Sequence, residues 1–151
     1  MARTAVDAVF IDTNVLVAAT IVEAPWHRES LASLQSDLVW SSAWISRQVL
    51  REYLAVLSRP QQFSRPLPPK ALAAQIADFQ ARYRIAEDST KVTRKLLELI
   101  QKFEVGGRQI HDANIVATML VHRVGSLLTL NQDDFKRFSP LVSLLHPKSL
   151  P

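Results

Sequence analysis

Apolar positions along the chain follow two alternating patterns: short unbroken runs, and longer stretches in which they recur every three or four residues. Val6 to Ile11 (VDAVFI) is a short apolar run stopped by Asp12-Thr13-Asn14, residues suited to capping and turning. It predicts a buried strand running into a helix that carries Val15, Leu16 and Val17. Pro25 opens a second helical stretch, in which Trp26, Leu31 and Leu34 are spaced to share a face. Leu38-Val39-Trp40 reads as a second strand closed by Ser41-Ser42. Ile45 to Ser58 reads as a helix, because Ile45, Val49, Tyr53 and Val56 recur at steps of three or four and Pro60 marks its end. The four prolines from Pro60 to Pro69 make a loop rather than a domain linker, since the segments on either side are too small to fold alone.

Lys70 to Tyr83 places Leu72, Ile76 and Phe79 in helical register, and Arg84-Ile85-Ala86 is a third short strand. Asp88 or Ser89 then caps a helix through Phe103, with Val92, Leu96, Leu99 and Phe103 on one side and Gly106-Gly107 as its stop. Ile110 to Arg123 is another helix, ended at Gly125. Leu127 to Leu130 is a strand, Asn131 to Phe138 a short helix or turn, and Leu141 to Leu145 a final strand. The tail from His146 to Pro151 is expected to fray. Short apolar strands alternating with helices predict an α/β fold around a parallel sheet. The length of 151 residues suits one domain.

Composition narrows the classes. With 48% hydrophobic and 21% charged residues, the chain is not a disordered one. No cysteine is present, which excludes disulfides and thiolate metal sites. Only 3 glycines argue against a β-meander built on tight glycine turns and against a glycine-rich phosphate loop. No apolar run approaches the ~20 residues needed to span a bilayer. The first residues also lack the pattern of a signal peptide. A soluble cytoplasmic protein without membrane contact is therefore expected. The net charge of +4 says little by itself about polyanion binding.

The positions of the acids say more. In open parallel sheets, ligands bind beyond the carboxyl ends of the strands. Asp12 ends the first predicted strand, and Asn131, Asp133 and Asp134 follow the strand at 127–130. Glu52 shares a helix face with Ile45, Val49 and Val56. Asp112 lies in the first turn of its helix and precedes Val116 and Met119 on a largely apolar stripe. A carboxylate on a core-facing stripe is costly unless it is paired, protonated or bound to metal. Each acid has a plain alternative. Asp12 and Asp112 suit helix N-termini, Glu52 can turn outward to Arg47, Arg51 or Arg59, and Asp133-Asp134 fits a solvated turn. Their conjunction is what points to a site.

Such an all-oxygen cluster suits Mg²⁺ or Mn²⁺ rather than zinc, and fits phosphodiester hydrolysis. With Asp12, Glu52, Asp112 and Asp134 committed to an ion, 18 basic residues face 10 remaining acids, a surface of +8 around an acidic pocket.

Four segments carry a family resemblance: Phe10-Ile11-Asp12-Thr13-Asn14-Val15-Leu16, Ser46-Arg47-Gln48-Val49-Leu50-Arg51-Glu52-Tyr53, Ile110-His111-Asp112-Ala113-Asn114-Ile115-Val116-Ala117, and Leu128-Thr129-Leu130-Asn131-Gln132-Asp133-Asp134-Phe135. In order and spacing they resemble a PIN domain, and more closely a VapC-type toxin of a toxin–antitoxin pair. The resemblance implies a three-layer α/β/α fold and Mg²⁺- or Mn²⁺-dependent RNA cleavage that leaves a 5′-phosphate and a 3′-hydroxyl. It also implies a homodimer and an antitoxin protein that blocks the pocket. Carried over by position, Asp12, Glu52 and Asp112 form the acidic core. Asp12 and Asp112 anchor the metal, and Glu52 orients water or acts as general base. Asn131 and Asp134 complete the site, with Thr13, Asn14 and Thr129 in support. Many relatives place an acid where this chain has Asn131, so Asp133 and Asp134 both stand open as the fourth acid, with Asp134 preferred for its place before Phe135.

Arg108 and His111 flank Asp112 and are candidates for gripping phosphate, or are simply solvated. Trp26, Trp40 and Trp44 are candidates for base stacking, with core or dimer packing the expected role. Leu50, Leu54 and Leu57 form a second apolar face of the Glu52 helix. That face packs within the monomer by default, and is otherwise a dimer or antitoxin surface. His111-Asp112 also invites a reading as an HD phosphohydrolase, but His27, His122 and His146 make no matching pattern. A receiver-like phosphoacceptor domain lacks its central-strand Asp. An inactive PIN-like module that binds RNA or protein is the main alternative, and it has no need for a repelling acidic cluster.

Overall fold

The computed structural model describes residues 8–62 and 64–150. Five strands form one all-parallel sheet: β1 (Val9–Ile11), β2 (Ala43–Ser46), β3 (Arg84–Ala86), β4 (Ser126–Leu128) and β5 (Ser143–Leu145), in the order β3-β2-β1-β4-β5. The connecting helices are α1 (Thr13–Thr20), α2 (His27–Gln35), α3 (Asp37–Ser42), α4 (Arg47–Leu57), α5 (Pro69–Arg82), α6 (Thr90–Phe103) and α7 (Gln109–His122).

Right-handed crossovers decide which face each helix covers. The chain steps outward from β1 to β2 to β3, so α1 to α5 cover one face. It then crosses back from β3 to β4, and α6 and α7 cover the other. The packing agrees: α1 and α5 lie against α4, and α6 lies against α7. Strands covered on both faces must be apolar throughout, and Phe10, Ile11, Leu127 and Leu128 are fully buried.

β1 and β4 are neighbours, and the connections from them leave in opposite directions. This is the switch point at which a parallel sheet opens a crevice beyond its carboxyl edge. Asp12 sits immediately beyond β1, its backbone N–H donating to the Leu128 carbonyl at 3.0 Å. Thr129 sits immediately beyond β4. Helices α1, α4 and α7 all start at this edge, which aims three helix N-termini at one place.

Several boundaries differ from expectation for identifiable reasons. The first strand begins at Val9; Val6 and Asp7 lie outside the described residues. Residues 38–40 are helical, not a strand, because Ser36 caps α3 and its hydroxyl accepts from Val39 N–H. Trp40 consequently projects to solvent at 60% exposure. The strand comes one step later, and Ile45 belongs to it rather than to the following helix. Ser46 caps α4 by accepting from Val49 N–H at 3.3 Å. Helix α2 begins after Trp26, which adopts a left-handed conformation, and Leu31 turns outward while Leu34 is buried.

Helices α6 and α7 end on left-handed Glu104 and Arg123 rather than on the nearby glycines. β4 and β5 are shorter than the predicted runs, while Gln132–Phe138 forms the expected short helix, as 3₁₀. The tail does not fray over residues 146–150. Pro147–Ser149 form a 3₁₀ turn, Pro147 is buried, and His146 and Lys148 pack on the Trp26 ring. Of the other tryptophans, Trp44 is half-buried between His122 and Arg84. Leu50 and Leu57 are buried and Leu54 partly so, which is packing within the monomer as expected.

Candidate active site

The sheet edge and the helix starts bring the predicted acids to one cavity of about 540 Å³. Asp12, Thr13, Asn14, Glu52, Asp112, Asn131, Asp134 and Phe135 line its polar end. Val17, Ala18, Ala24, Ala55, Val56 and Arg59 complete its lining.

Asp12 is the deepest acid, at 7% exposure. As the N-cap of α1, its Oδ1 accepts from Thr13 N–H at 2.8 Å. Its Oδ2 accepts from the Thr129 hydroxyl at 2.8 Å and from Asn14 Nδ2 at 3.3 Å. The plain capping role is therefore real, and it leaves unexplained why the cap is buried among other acids. Burial pushes the Asp12 carboxyl up to about 7; the bonds from Thr129 and Thr13 pull it down, and the charges of Glu52 and Asp112 push it up again. Asp112 is half-buried in the first turn of α7. Its carboxyl rises to about 6, first by desolvation, then through Asp134 and Glu52, against a smaller pull from His111 and Arg137.

Glu52 does not turn outward to an arginine. Its Oε2 accepts from the Thr13 hydroxyl at 2.8 Å and its Oε1 from Gln48 Nε2 at 2.8 Å. Arg47 is engaged with Glu87 instead. Asn14 braces the β4 end: its Oδ1 accepts from Leu130 N–H at 3.1 Å and its Nδ2 donates to Thr129 Oγ1 at 3.2 Å. Asn131 hydrogen-bonds the Asp134 carboxylate through its side chain. Asp134 faces the cavity, whereas Asp133 points to solvent and pairs with Lys136 at 2.6 Å. Arg108 and His111 are exposed and do not line the cavity.

Among the described residues, none of the ion pairs involves Asp12, Glu52, Asp112 or Asp134. Four carboxylates thus share a cavity with no side-chain cation paired to any of them. Nor do any three His, Asp or Glu side chains among the described residues stand close enough to cage an ion alone. The donor set fits a hard cation held by one or two carboxylates and completed by water or phosphate oxygens, which is how Mg²⁺ binds. It does not fit zinc, which wants nitrogen or sulfur. The histidines away from this edge are committed elsewhere: His27 to the Ala18 carbonyl, His122 to the Glu87 carbonyl, and His146 to Trp26.

Three contributors escaped the sequence reading. Arg59 lies two residues beyond the end of α4 and still reaches the cavity wall. Gln48 and Asn114 lie four residues before Glu52 and two after Asp112. The i,i+4 spacing of Gln48 and Glu52 is a local signal, but the bonds of Gln48 to the His111 carbonyl and to Asn114 run between helices and have none.

Comparison with known proteins agrees with this geometry. The family profile of the PIN domain matches residues 9–140. The ribonuclease VapC37 of Mycobacterium tuberculosis (strain ATCC 25618 / H37Rv) is 25% identical over 134 residues, covering 85% of this chain and 90% of that protein. Among solved structures, the DNA-bound VapBC of Salmonella typhimurium superposes with a TM-score of 0.67 at 20% identity, covering 93% of this chain and 98% of that one. VapBC2 of Rickettsia felis bound to a fragment of its promoter gives 0.65 at 23% identity, covering 92% and 98%. With the five-stranded parallel sheet, the helices on both faces and the acids at the switch point, these matches establish that the chain belongs to the PIN domain family, with VapC ribonucleases among its relatives.

Proposed function

We propose that the protein is a Mg²⁺- or Mn²⁺-dependent endoribonuclease and the toxin of a toxin–antitoxin pair, with residues 1–151 working as one nuclease domain. The observation that carries this reading is the meeting of Asp12, Glu52, Asp112 and Asp134 at one cavity with no side-chain cation paired to them among the described residues. Asp12 and Asp112, whose carboxyls are pushed up by burial and mutual repulsion, are the groups that gain most from a cation. A divalent cation held there would offset the charge of the acids and of the scissile phosphate and would lower the pKa of the attacking water.

The remaining steps belong to the chain's own residues. Glu52 is held by Thr13 and Gln48 with both oxygens directed, so it orients the water and receives its proton. The water oxygen bonds to phosphorus, the bond to the 3′-oxygen breaks, and the departing 3′-oxygen takes a proton from bulk water, which leaves a 3′-hydroxyl and a 5′-phosphate. Asp134, tied to Asn131, completes the acidic ring, and Asn14 and Thr129 hold Asp12 in place. Arg59 in the cavity wall and Arg137 near Asp112 supply positive charge for the flanking phosphates, with Arg108 and His111 available further out.

The name of the VapC37 relative supports an RNA substrate. The VapBC complexes support an antitoxin partner; we further assign that partner to the acidic cavity and take the toxin as a homodimer. No helix among the described residues is long and apolar enough to cross a membrane, and we assign the activity to the cytoplasm. The test is thermal unfolding titrated with Mn²⁺, wild type against Asp112→Asn. Mn²⁺ raises the wild-type midpoint and moves the variant far less. Absence of a response in both overturns the metal site and favours an inactive RNA- or protein-binding module.

A further inference from the structure

We propose that Gln48 is a positioning residue for the acidic site, a neutral strut that holds Glu52 against the start of the Asp112 helix. The inference rests on the nuclease reading above. Gln48 lies one turn before Glu52 on α4 and is only 7% exposed. Its Nε2 donates to Glu52 Oε1 at 2.8 Å and to the His111 carbonyl at 2.9 Å. Its Oε1 accepts from Asn114 Nδ2 at 2.8 Å. A carboxylate and a backbone carbonyl are acceptors only, so the orientation of the Gln48 amide is forced by its partners.

The placement of these bonds gives them a role. His111 immediately precedes Asp112, so anchoring its carbonyl anchors the backbone from which Asp112 projects. Helices α4 and α7 lie on opposite faces of the sheet, and Gln48 joins them across its carboxyl edge. On the other side of Glu52, Oε2 accepts from the hydroxyl of Thr13, the neighbour of Asp12. One continuous path, Thr13–Glu52–Gln48–Asn114, therefore runs through the elements that carry Asp12, Glu52 and Asp112.

The chemistry of the position calls for a neutral donor. A lysine or arginine at 48 would neutralise Glu52 and compete with a cation. A glutamate would repel it. An apolar side chain would leave Glu52 Oε1 and the His111 carbonyl without this donor. Groups that orient a metal site from behind its ligands commonly matter by ~10–100-fold.

The experiment uses the full chain with Gln48→Met, Asn114→Ala and the double variant. Three quantities are read: kcat and KM on an RNA that the wild type cuts, Mn²⁺ affinity by calorimetry, and stability to urea. Gln48→Met is expected to lower kcat by roughly 10–100-fold and to weaken Mn²⁺ binding by about 10-fold. KM stays within about threefold, as for an interaction made in the transition state. Asn114→Ala gives a smaller loss in the same direction, and the double variant is no worse than Gln48→Met, because Asn114 acts through Gln48.

A Gln48→Met protein that loses only urea stability, with kcat and Mn²⁺ affinity per folded molecule unchanged, overturns the inference. If Gln48→Met does not fold, Asn114→Ala decides: lowered kcat at constant KM upholds the strut, and unchanged kcat removes it. Wild type that neither binds Mn²⁺ nor cuts RNA removes the nuclease reading and this inference together, whereas an active wild type with unaffected variants removes this inference alone.

Discussion

Asp12→Asn is the most informative perturbation of the acidic site in the absence of metal. Burial raises the Asp12 carboxyl from its ordinary 3.8 to about 7. The folded protein therefore keeps a proton that the unfolded chain has already lost between these values. Stability must fall as pH rises through that window and level off above about 7. At about 1.4 kcal/mol per tenfold change in proton affinity, the full penalty above the window is roughly 4 kcal/mol. Asp112 adds in the same direction, less strongly because it is half exposed to water.

Asparagine removes the Asp12 penalty and keeps the helix cap, since it caps as well as aspartate. It also turns an amide N–H toward Thr129 Oγ1, which already accepts from Asn14 Nδ2 and from Asn131 N–H. The Thr129 hydroxyl then loses its acceptor, at a cost of ~1–3 kcal/mol. The net gain at pH 8 is about 2 kcal/mol, or about 4–8 °C in Tm for a chain of this size. The assay is thermal unfolding in EDTA from pH 4.5 to 8.5. Wild type is expected to lose Tm toward neutrality while the variant stays flatter, so that the variant is the more stable above pH 7. Adding Mn²⁺ reverses the order. Parallel pH profiles, with Asp12→Asn the less stable throughout, would refute the claim that an unpaired buried carboxyl sits at this edge.

Other outcomes follow from the same geometry. Asp134→Asn weakens the Mn²⁺-induced rise in Tm, whereas Asp133→Asn leaves it intact. The latter changes stability by less than about 0.5 kcal/mol, because Asp133 makes only an exposed pair with Lys136. Arg59→Ala raises KM for RNA with kcat nearly unchanged, and it lowers the slope of log affinity against log salt by about one, as expected for loss of one phosphate contact; an unchanged slope removes Arg59 from the RNA path.

The legible parts of this molecule were those with a local physical signal. The apolar run ending at Asp12-Thr13-Asn14 is a strand followed by a cap, and the structure has both. The 3.6-residue periodicity over 45–58, through 103 from a cap at 88 or 89, and over 110–123 likewise corresponds to α4, α6 and α7, with ends shifted by one or two residues. Residues 38–40 were misread because three apolar residues fit either a strand or a helix turn, and the Ser36-Asp37 cap decided the matter. Ile45 fitted a helical stripe by spacing alone, although the Ser46 cap excluded it from the helix. The choice between Asp133 and Asp134 as the acid facing the cavity depended on the twist of the 3₁₀ segment, which leaves Lys136 to take Asp133. The link between Gln48 and Asn114 has no local signal for a deeper reason. That bond exists only once α4 and α7, 66 residues apart at this contact, meet over the sheet edge.

The proposed chemistry is RNA cleavage by these carboxylates with a divalent cation. The direct measurement is cleavage of a structured RNA by wild type and Asp112→Asn, each with Mn²⁺ and with EDTA, with the chemistry of the new ends mapped. Discrete cuts bearing 5′-phosphates are expected in the wild-type reaction with Mn²⁺, none in EDTA, and a loss of about 100-fold or more in the variant, beyond what groups behind the ligands cost. Cleavage that survives EDTA or the Asp112→Asn change would contradict that chemistry, as would a wild-type protein that binds RNA with Mn²⁺ present and leaves it whole.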